Sequence, residues 1–256
     1  MNRNTSELAV LPIACLLIGG FLLSVFMSAP SRVPDFSAIT NVDEKKSTFF
    51  SFMLPSIRRA NDDILIERSR LLGYQQTLTT GHALSHRETK RLAELMKKYR
   101  LDGNPRDDDR TAELIAELLQ RVDTIPASLV LAQSANESAW GTARFARQGN
   151  NYFGIWCWSR NCGMLPSERA AGATHEVATF DTVTAGVAYY MQTLNSHPAY
   201  QPLRDRREEL RTEGKPPNGV ELAAGLLNYS ERREAYVDEI RAMISYNDLS
   251  RFNRTN

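Results

Sequence analysis

The sequence predicts a mainly helical α+β protein preceded by a membrane-spanning helix. Apolar residues recur at helical spacing through most of the chain after residue 47, and that period disappears between Asn151 and Phe180. Residues 8–29 form one uncharged apolar run. Of 256 residues, 42% are hydrophobic, which suits one or two domains with real cores and excludes whole-chain disorder. Lys and Arg number 31 against 30 Asp and Glu, so no net field exists to hold nucleic acid by counterion release. Three cysteines exclude a disulfide-dense scaffold. Function must come from a local site.

The elements follow in order. Residues 8–29, between Glu7 and Arg32, are long enough to cross about 30 Å of hydrocarbon as a helix. Met27-Ser28-Ala29 followed by Pro30 makes a poor signal-peptidase site, so residues 1–29 are expected to remain as an anchor. Cys15 lies inside the run and reads as a small buried residue. Flanking charge is nearly balanced, Arg3 against Arg32, Lys45 and Lys46. Cys157 and Cys162 tip the orientation, because such a pair can persist as a disulfide only outside the cytosol.

Residues 30–46 lack any period and read as a tether, and residues 47–115 as a helical extension. In the extension Phe49, Phe52 and Met53 share a face, and Pro55 should break or kink that helix. Ser85 to Glu88 is a capping box ahead of Leu92, Leu95, Met96 and Tyr99. A charged loop from Asp102 to Arg110 precedes a helix carrying Leu114, Ile115, Leu118, Leu119 and Val122. Pro126 opens a helix expected to run to Trp140 and stop at Gly141. Short strands or a small hairpin should fill 151–180, with helices near 183–195, 220–228 and 231–246.

The chemistry concentrates in residues 129–156, LVLAQSANESAWGTARFARQGNNYFGIW. Glu137 stands near a helix C-terminus, whose unpaired carbonyls disfavour an ionised carboxylate. Burial beside Trp140 or Phe153 would act the same way. A glutamic acid kept protonated near neutral pH is what glycosidic cleavage needs, because the departing oxygen leaves poorly without a proton. Rival chemistries fit worse. His82, His86, His175 and His197 show no H-E-x-x-H spacing, and two cysteines alone do not make a zinc site. No G-x-S-x-G elbow or P-loop occurs, so neither metal nor nucleotide cofactor is indicated.

Glu-Ser-Ala-Trp-Gly at 137–141, followed by Asn150-Asn151-Tyr152-Phe153-Gly154-Ile155, resembles the signature of the glucosaminidases that cut peptidoglycan. The resemblance continues through Phe180, Tyr189, Leu194, His197 to Tyr200, Tyr229-Ser230 and Tyr236, across roughly half the chain. Within that family the chain is most similar to the Bax-type, membrane-associated branch, with a helical extension and a paired-cysteine loop after the N-N-x-F-G-I motif. The resemblance implies a lysozyme-like helical domain with a small β-lobe over residues 116–250, Glu137 as general acid, Asn151, Phe153 and Gly154 along the cleft, and Tyr189 beside the sugar. It implies an endo-β-N-acetylglucosaminidase whose partners are peptidoglycan strands and, through the anchor, inner-membrane lipid, with the catalytic domain in the periplasm. A lytic transglycosylase and a catalytically silent peptidoglycan-binding scaffold are the rivals.

Several residues carry two readings. Trp140 and Phe153 suit core packing as well as a sugar platform. Asn150 and Asn151 suit turn geometry as well as substrate contact. Tyr189 could be a buried tyrosine on an apolar face, and Tyr229 joins it as a substrate-binding candidate. For a second acid, Glu168, Glu176 and Asp181 are available in the β-lobe. Glu176 is preferred, since Glu168 follows Pro166 in a turn and Asp181 is placed to cap the next helix. Tyr189 would serve instead if the substrate's acetamido group attacks.

Overall fold

A computed structural model describes residues 33–166, 172 and 174–253. The expected anchor and Glu168 lie outside these residues, and among the described residues no helix is long and apolar enough to cross a membrane. Val33–Asn256 forms one compact unit. In chain order it comprises α1 (Val42–Thr79), α2 (His86–Lys98), α3 (Asp108–Arg121), α4 (Ala127–Glu137) and α5 (Arg144–Gly149). Strands β1 (Trp156–Cys157), β2 (Gly163–Met164) and β3 (Glu176–Ala178) follow. The chain closes with α6 (Val183–Ser196), α7 (Gln201–Thr212), α8 (Gly219–Leu222) and α9 (Glu234–Tyr246), linked by short 3-10 turns.

The core is built around α4. Its residues are mostly small or apolar, and every residue from Ala127 to Ala135 is buried, so the helix meets neighbours on all sides. α1, α8, α9 and the C-terminal turn pack around it. α1 continues through Pro55, so the proline does not break the helix. Pro55 and Ser51, whose carbonyl loses its helical donor, are both exposed, so water can serve that oxygen. Phe49, Phe50, Met53, Leu54 and Ile57 are buried on the opposite side, and their burial outweighs a proline cost of about 3 kcal/mol.

Three further expectations change. The tether does not extend to residue 46: Phe36 is fully buried, edge-on to Phe49 and Phe52, and α1 begins at Val42 under an Asn41 cap. A single aromatic in a polar stretch has no period by which to be found. α4 stops at Glu137, not Trp140, because Ala139, Trp140 and Gly141 take φ of 48°, 58° and 79°. Ser138 Oγ closes this turn, donating to Ser134 O and accepting from Gly141 N at 2.8 Å. Thr182, not Asp181, caps α6, accepting from Ala185 N at 3.1 Å.

α7 was not foreseen, since QPLRDRREELRT shows only two apolar residues. It buries Leu203, Leu210 and also Arg204 and Arg207. Arg207 donates to Asn195 Oδ1 at 2.7 Å and to the carbonyls of Gln120 and Asp123, tying α7 to the link between α3 and α4. Asp123 is buried there; burial pushes its carboxyl up, but Arg207, Arg211 and Arg68 outweigh burial and hold it below the usual carboxylate range. The capping box of α2 forms as expected, Ser85 N donating to Glu88 and Glu88 N to Ser85 Oγ.

The β-lobe is a three-stranded antiparallel sheet of order β1-β3-β2, with Trp156 opposite Val177, Cys157 opposite Glu176 and Gly163 opposite Ala178. Gly163 permits that pairing, because a Cβ there would fall 1.9 Å from the Val177 carbonyl oxygen. The Cys157–Cys162 disulfide is formed and staples the turn between β1 and β2.

Candidate active site

Glu137 ends α4 beside a cluster of aromatic rings contributed by α6, α9, the turn before α9 and the loop after α5. Tyr236 Oη, from α9, donates to Glu137 Oε1 at 2.8 Å. The same hydroxyl accepts from Gln133 Nε2 at 2.9 Å, and Gln133 Oε1 accepts from the Tyr190 hydroxyl of α6. Gln133 lies one helical turn before Glu137, so both point from one face of α4. Gln133, Tyr190 and Tyr236 are buried. Phe153 stacks on Tyr190 with centroids 3.9 Å apart, and Tyr229 on Tyr236 at 5.4 Å. The Tyr229 hydroxyl donates to the Phe153 carbonyl at 2.9 Å.

This environment favours the neutral acid. Burial raises the Glu137 carboxyl above its ordinary value; the Tyr236 and Asn136 hydrogen bonds and the charge of Arg232 oppose this only partly, and Glu239 adds to the rise. The helix C-terminus acts in the same direction. The surrounding phenols are held protonated: burial pushes Tyr200 up to about 12, and burial with neighbouring Tyr and Glu137 charge pushes Tyr190, Tyr229 and Tyr236 further. A protonated carboxyl with a fixed donor beside it can deliver a proton to a bound oxygen.

The other candidates divide. Phe153 and Tyr229 belong to the Glu137 cluster. Asn151 is buried and bonded on every side, Nδ2 donating to the carbonyls of Ile155 and Ala178 and Oδ1 accepting from the amides of Phe153 and Ile155. It shapes the loop that presents Phe153. Asn150 adopts a left-handed φ of 51° and donates to Phe180 O at 2.8 Å, a turn role. Gly154 sits at φ 63° with open space around it. Trp140 packs edge-on against Phe49 and Phe50 of α1, joining the post-α4 turn to that helix. Tyr189 is 44% exposed and tilts against Phe180, whereas its neighbour Tyr190 makes the bond to Gln133.

Glu176 lies on β3, Oε1 accepting from Asn161 N at 3.2 Å and Oε2 from Gly163 N at 2.9 Å. Among the described residues, the group of possible metal ligands is Cys157, Cys162 and Glu176, but the two sulfurs are bonded to each other. Asp181 is exposed. Gln133 and Tyr190 were not singled out from the sequence. The available signal was Gln133, an amide in the mostly apolar α4, four residues before the glutamate.

Residues 112–249 match the family model described as glucosaminidase, mannosyl-glycoprotein endo-beta-N-acetylglucosaminidase. Protein bax of Escherichia coli (strain K12) is 31% identical over 219 residues, covering 85% of this chain and 75% of that protein. The catalytic domain of the autolysin Auto from Listeria monocytogenes superposes with a TM-score of 0.39 at 17% identity, over 70% of this chain and 88% of that one. With more than half its length matched by the family model and this degree of identity to a relative, the chain belongs to the glucosaminidase family and is a glycoside hydrolase.

Proposed function

We propose that the protein is a peptidoglycan hydrolase, an endo-β-N-acetylglucosaminidase that cleaves the β-1,4 bond after N-acetylglucosamine with Glu137 as general acid. The observation that carries the reading is the partly buried carboxyl at the end of α4, raised above its ordinary value and held by Tyr236. Glu137 gives its proton to the glycosidic oxygen as the bond from that oxygen to the anomeric carbon breaks. Two routes can then satisfy the anomeric carbon: a water activated by a second carboxylate, or the substrate's own acetamido oxygen, followed by water. Glu176 is 9% exposed and tied to the amides of Asn161 and Gly163, so little of its carboxylate is open to a water, which supports the second route. In that scheme Glu176 holds the disulfide turn, and Tyr189, exposed at 44%, is free to orient the acetamido group. Glu176→Gln should then slow turnover modestly and Tyr189→Phe by orders of magnitude; the reverse ranking would assign Glu176 as base.

The anchor reading places residues 8–29 in the inner membrane and the enzyme in the periplasm. The Cys157–Cys162 disulfide supports an oxidising compartment. The deciding experiment is digestion of purified peptidoglycan by the full chain with mass analysis of the products. A reducing N-acetylglucosamine end is expected. An anhydro sugar would establish a lytic transglycosylase, and no cleavage would leave a binding scaffold.

A further inference from the structure

Of the large apolar side chains exposed among the described residues, three cluster in one short segment of the β-lobe: Trp156 at 50%, Trp158 at 70% and Leu165 at 57%. Indoles ordinarily bury most of their surface, so two left open within three residues of chain mark a surface that meets something. Trp156 is held flat by His175, whose ring stacks on it with centroids 4.2 Å apart and 12° between planes. Trp158 follows β1 directly, two residues after Trp156 and on the other side of the disulfide-bonded Cys157 in sequence. The backbone beneath them is rigid: the disulfide closes the turn, Glu176 binds the amides of Asn161 and Gly163, and Trp156 pairs with Val177.

We infer that Trp156 and Trp158 form a sugar-stacking platform for a β-1,4-linked N-acetylhexosamine strand. The inference rests on the glycan-hydrolase reading above and extends it to a second contact region. A pyranose offers an apolar C–H face matched to a flat indole, with its hydroxyls left at the edge in water. The segment 156–166 contains a single charged residue, Arg160, which suits a neutral backbone better than an anionic membrane surface that would call for several cations. The platform also lies close in sequence to the candidate active site. Trp156 follows the loop whose Phe153 stacks in the Glu137 cluster, three residues away and therefore within about 11 Å of backbone reach. Because the platform is rigid before binding, little side-chain entropy is lost on contact.

The test uses the full chain carrying Glu137→Gln, to prevent turnover, with a hexamer of β-1,4-linked N-acetylglucosamine as probe and affinity read by calorimetry. Trp156→Ala and Trp158→Ala should each weaken binding about tenfold, Trp158→Phe should retain most of it, and Ile66→Ala, removing an exposed apolar side chain on α1, should change nothing. Trp158 is the safer variant because it is the more exposed. Intact far-ultraviolet dichroism and an absence of free thiols verify the fold of each protein. Unchanged hexamer affinity in both alanine variants overturns the platform while leaving the hydrolase reading in place. So does loss of binding to anionic phospholipid vesicles with hexamer affinity retained, which would assign the patch to a membrane. If the parent binds no hexamer and the wild type releases no reducing ends from peptidoglycan, the hydrolase reading itself falls, and the platform with it.

Discussion

Replacing Tyr236 by phenylalanine removes one hydroxyl that serves two partners and leaves the ring, which stacks on Tyr229, in place. Gln133, with no exposed surface, loses the acceptor of its Nε2, and Glu137 loses the donor 2.8 Å from Oε1. A buried donor left unsatisfied costs about 1–3 kcal/mol, and the second bond about 1.5–3 kcal/mol to an ionised acceptor or about 0.5–1.5 kcal/mol to a neutral one. The variant should therefore be less stable by about 2.5–6 kcal/mol where Glu137 is ionised and about 1.5–4.5 kcal/mol where it is protonated. The sign with pH follows from the raised acid. In the folded protein Glu137 holds its proton more tightly than an unfolded glutamate does, so its contribution is fully present below the unfolded value and lost as pH rises through the folded one. Without the Tyr236 donor the ionised form is penalised further, and that loss moves to higher pH. Urea unfolding of wild type and Tyr236→Phe on both sides of the transition should show a gap that widens with pH. The alkaline limb of glycan cleavage should move upward with it. An equal gap at both pH values with an unmoved limb would refute the coupling of Tyr236 to Glu137.

Three further outcomes are expected. Glu137→Gln should cut cleavage by on the order of 10²-fold or more and melt no lower than wild type at alkaline pH, since an amide escapes the penalty on a buried carboxylate; undiminished release of reducing ends would remove Glu137 from the chemistry. Cys157→Ser should lose about 2 kcal/mol on the chain-entropy estimate, localised to faster amide exchange at β1 and β2; if exchange there is unchanged, the staple does not hold the sheet. Arg207→Ala should cost about 3–5 kcal/mol by leaving Asp123 buried with fewer cations. The depressed Asp123 contributes stability above the unfolded aspartate value that is lost as pH falls through the folded one, so the variant's deficit should shrink in acid. A deficit constant with pH would show that Arg207 acts through its backbone contacts alone.

Much of the fold was legible because its elements are local. The capping box at Ser85, the apolar period of α3 and the start of α4 at Pro126 each announce themselves within a few residues, and the loss of period after Asn151 marks the β-lobe. α7 was not legible, since its burial depends on arginines whose partners, Asp123, Asn195 and the Gln120 carbonyl, are distant in sequence. Phe36 was missed for the same reason, as nothing in its own segment shows that Phe49 and Phe52 wait to receive it.

The candidate site divides along the same line. Sequence alone determined the family signature, the position of Glu137 near a helix end, and hence a reason for a proton to stay on it. It also determined that Cys157 and Cys162 were close enough to pair. Only the tertiary structure decided what surrounds the acid: that Tyr190 rather than Tyr189 turns inward to Gln133, that Tyr236 supplies the donor, and that Trp140 serves α1 while Glu176 serves the disulfide turn. The physical reason is range. Helical period, capping and dipole act over one or two turns and are written in consecutive residues. Desolvation and side-chain hydrogen bonds depend on which elements meet, and here they join residues of α4, α6 and α9 that the chain order keeps far apart.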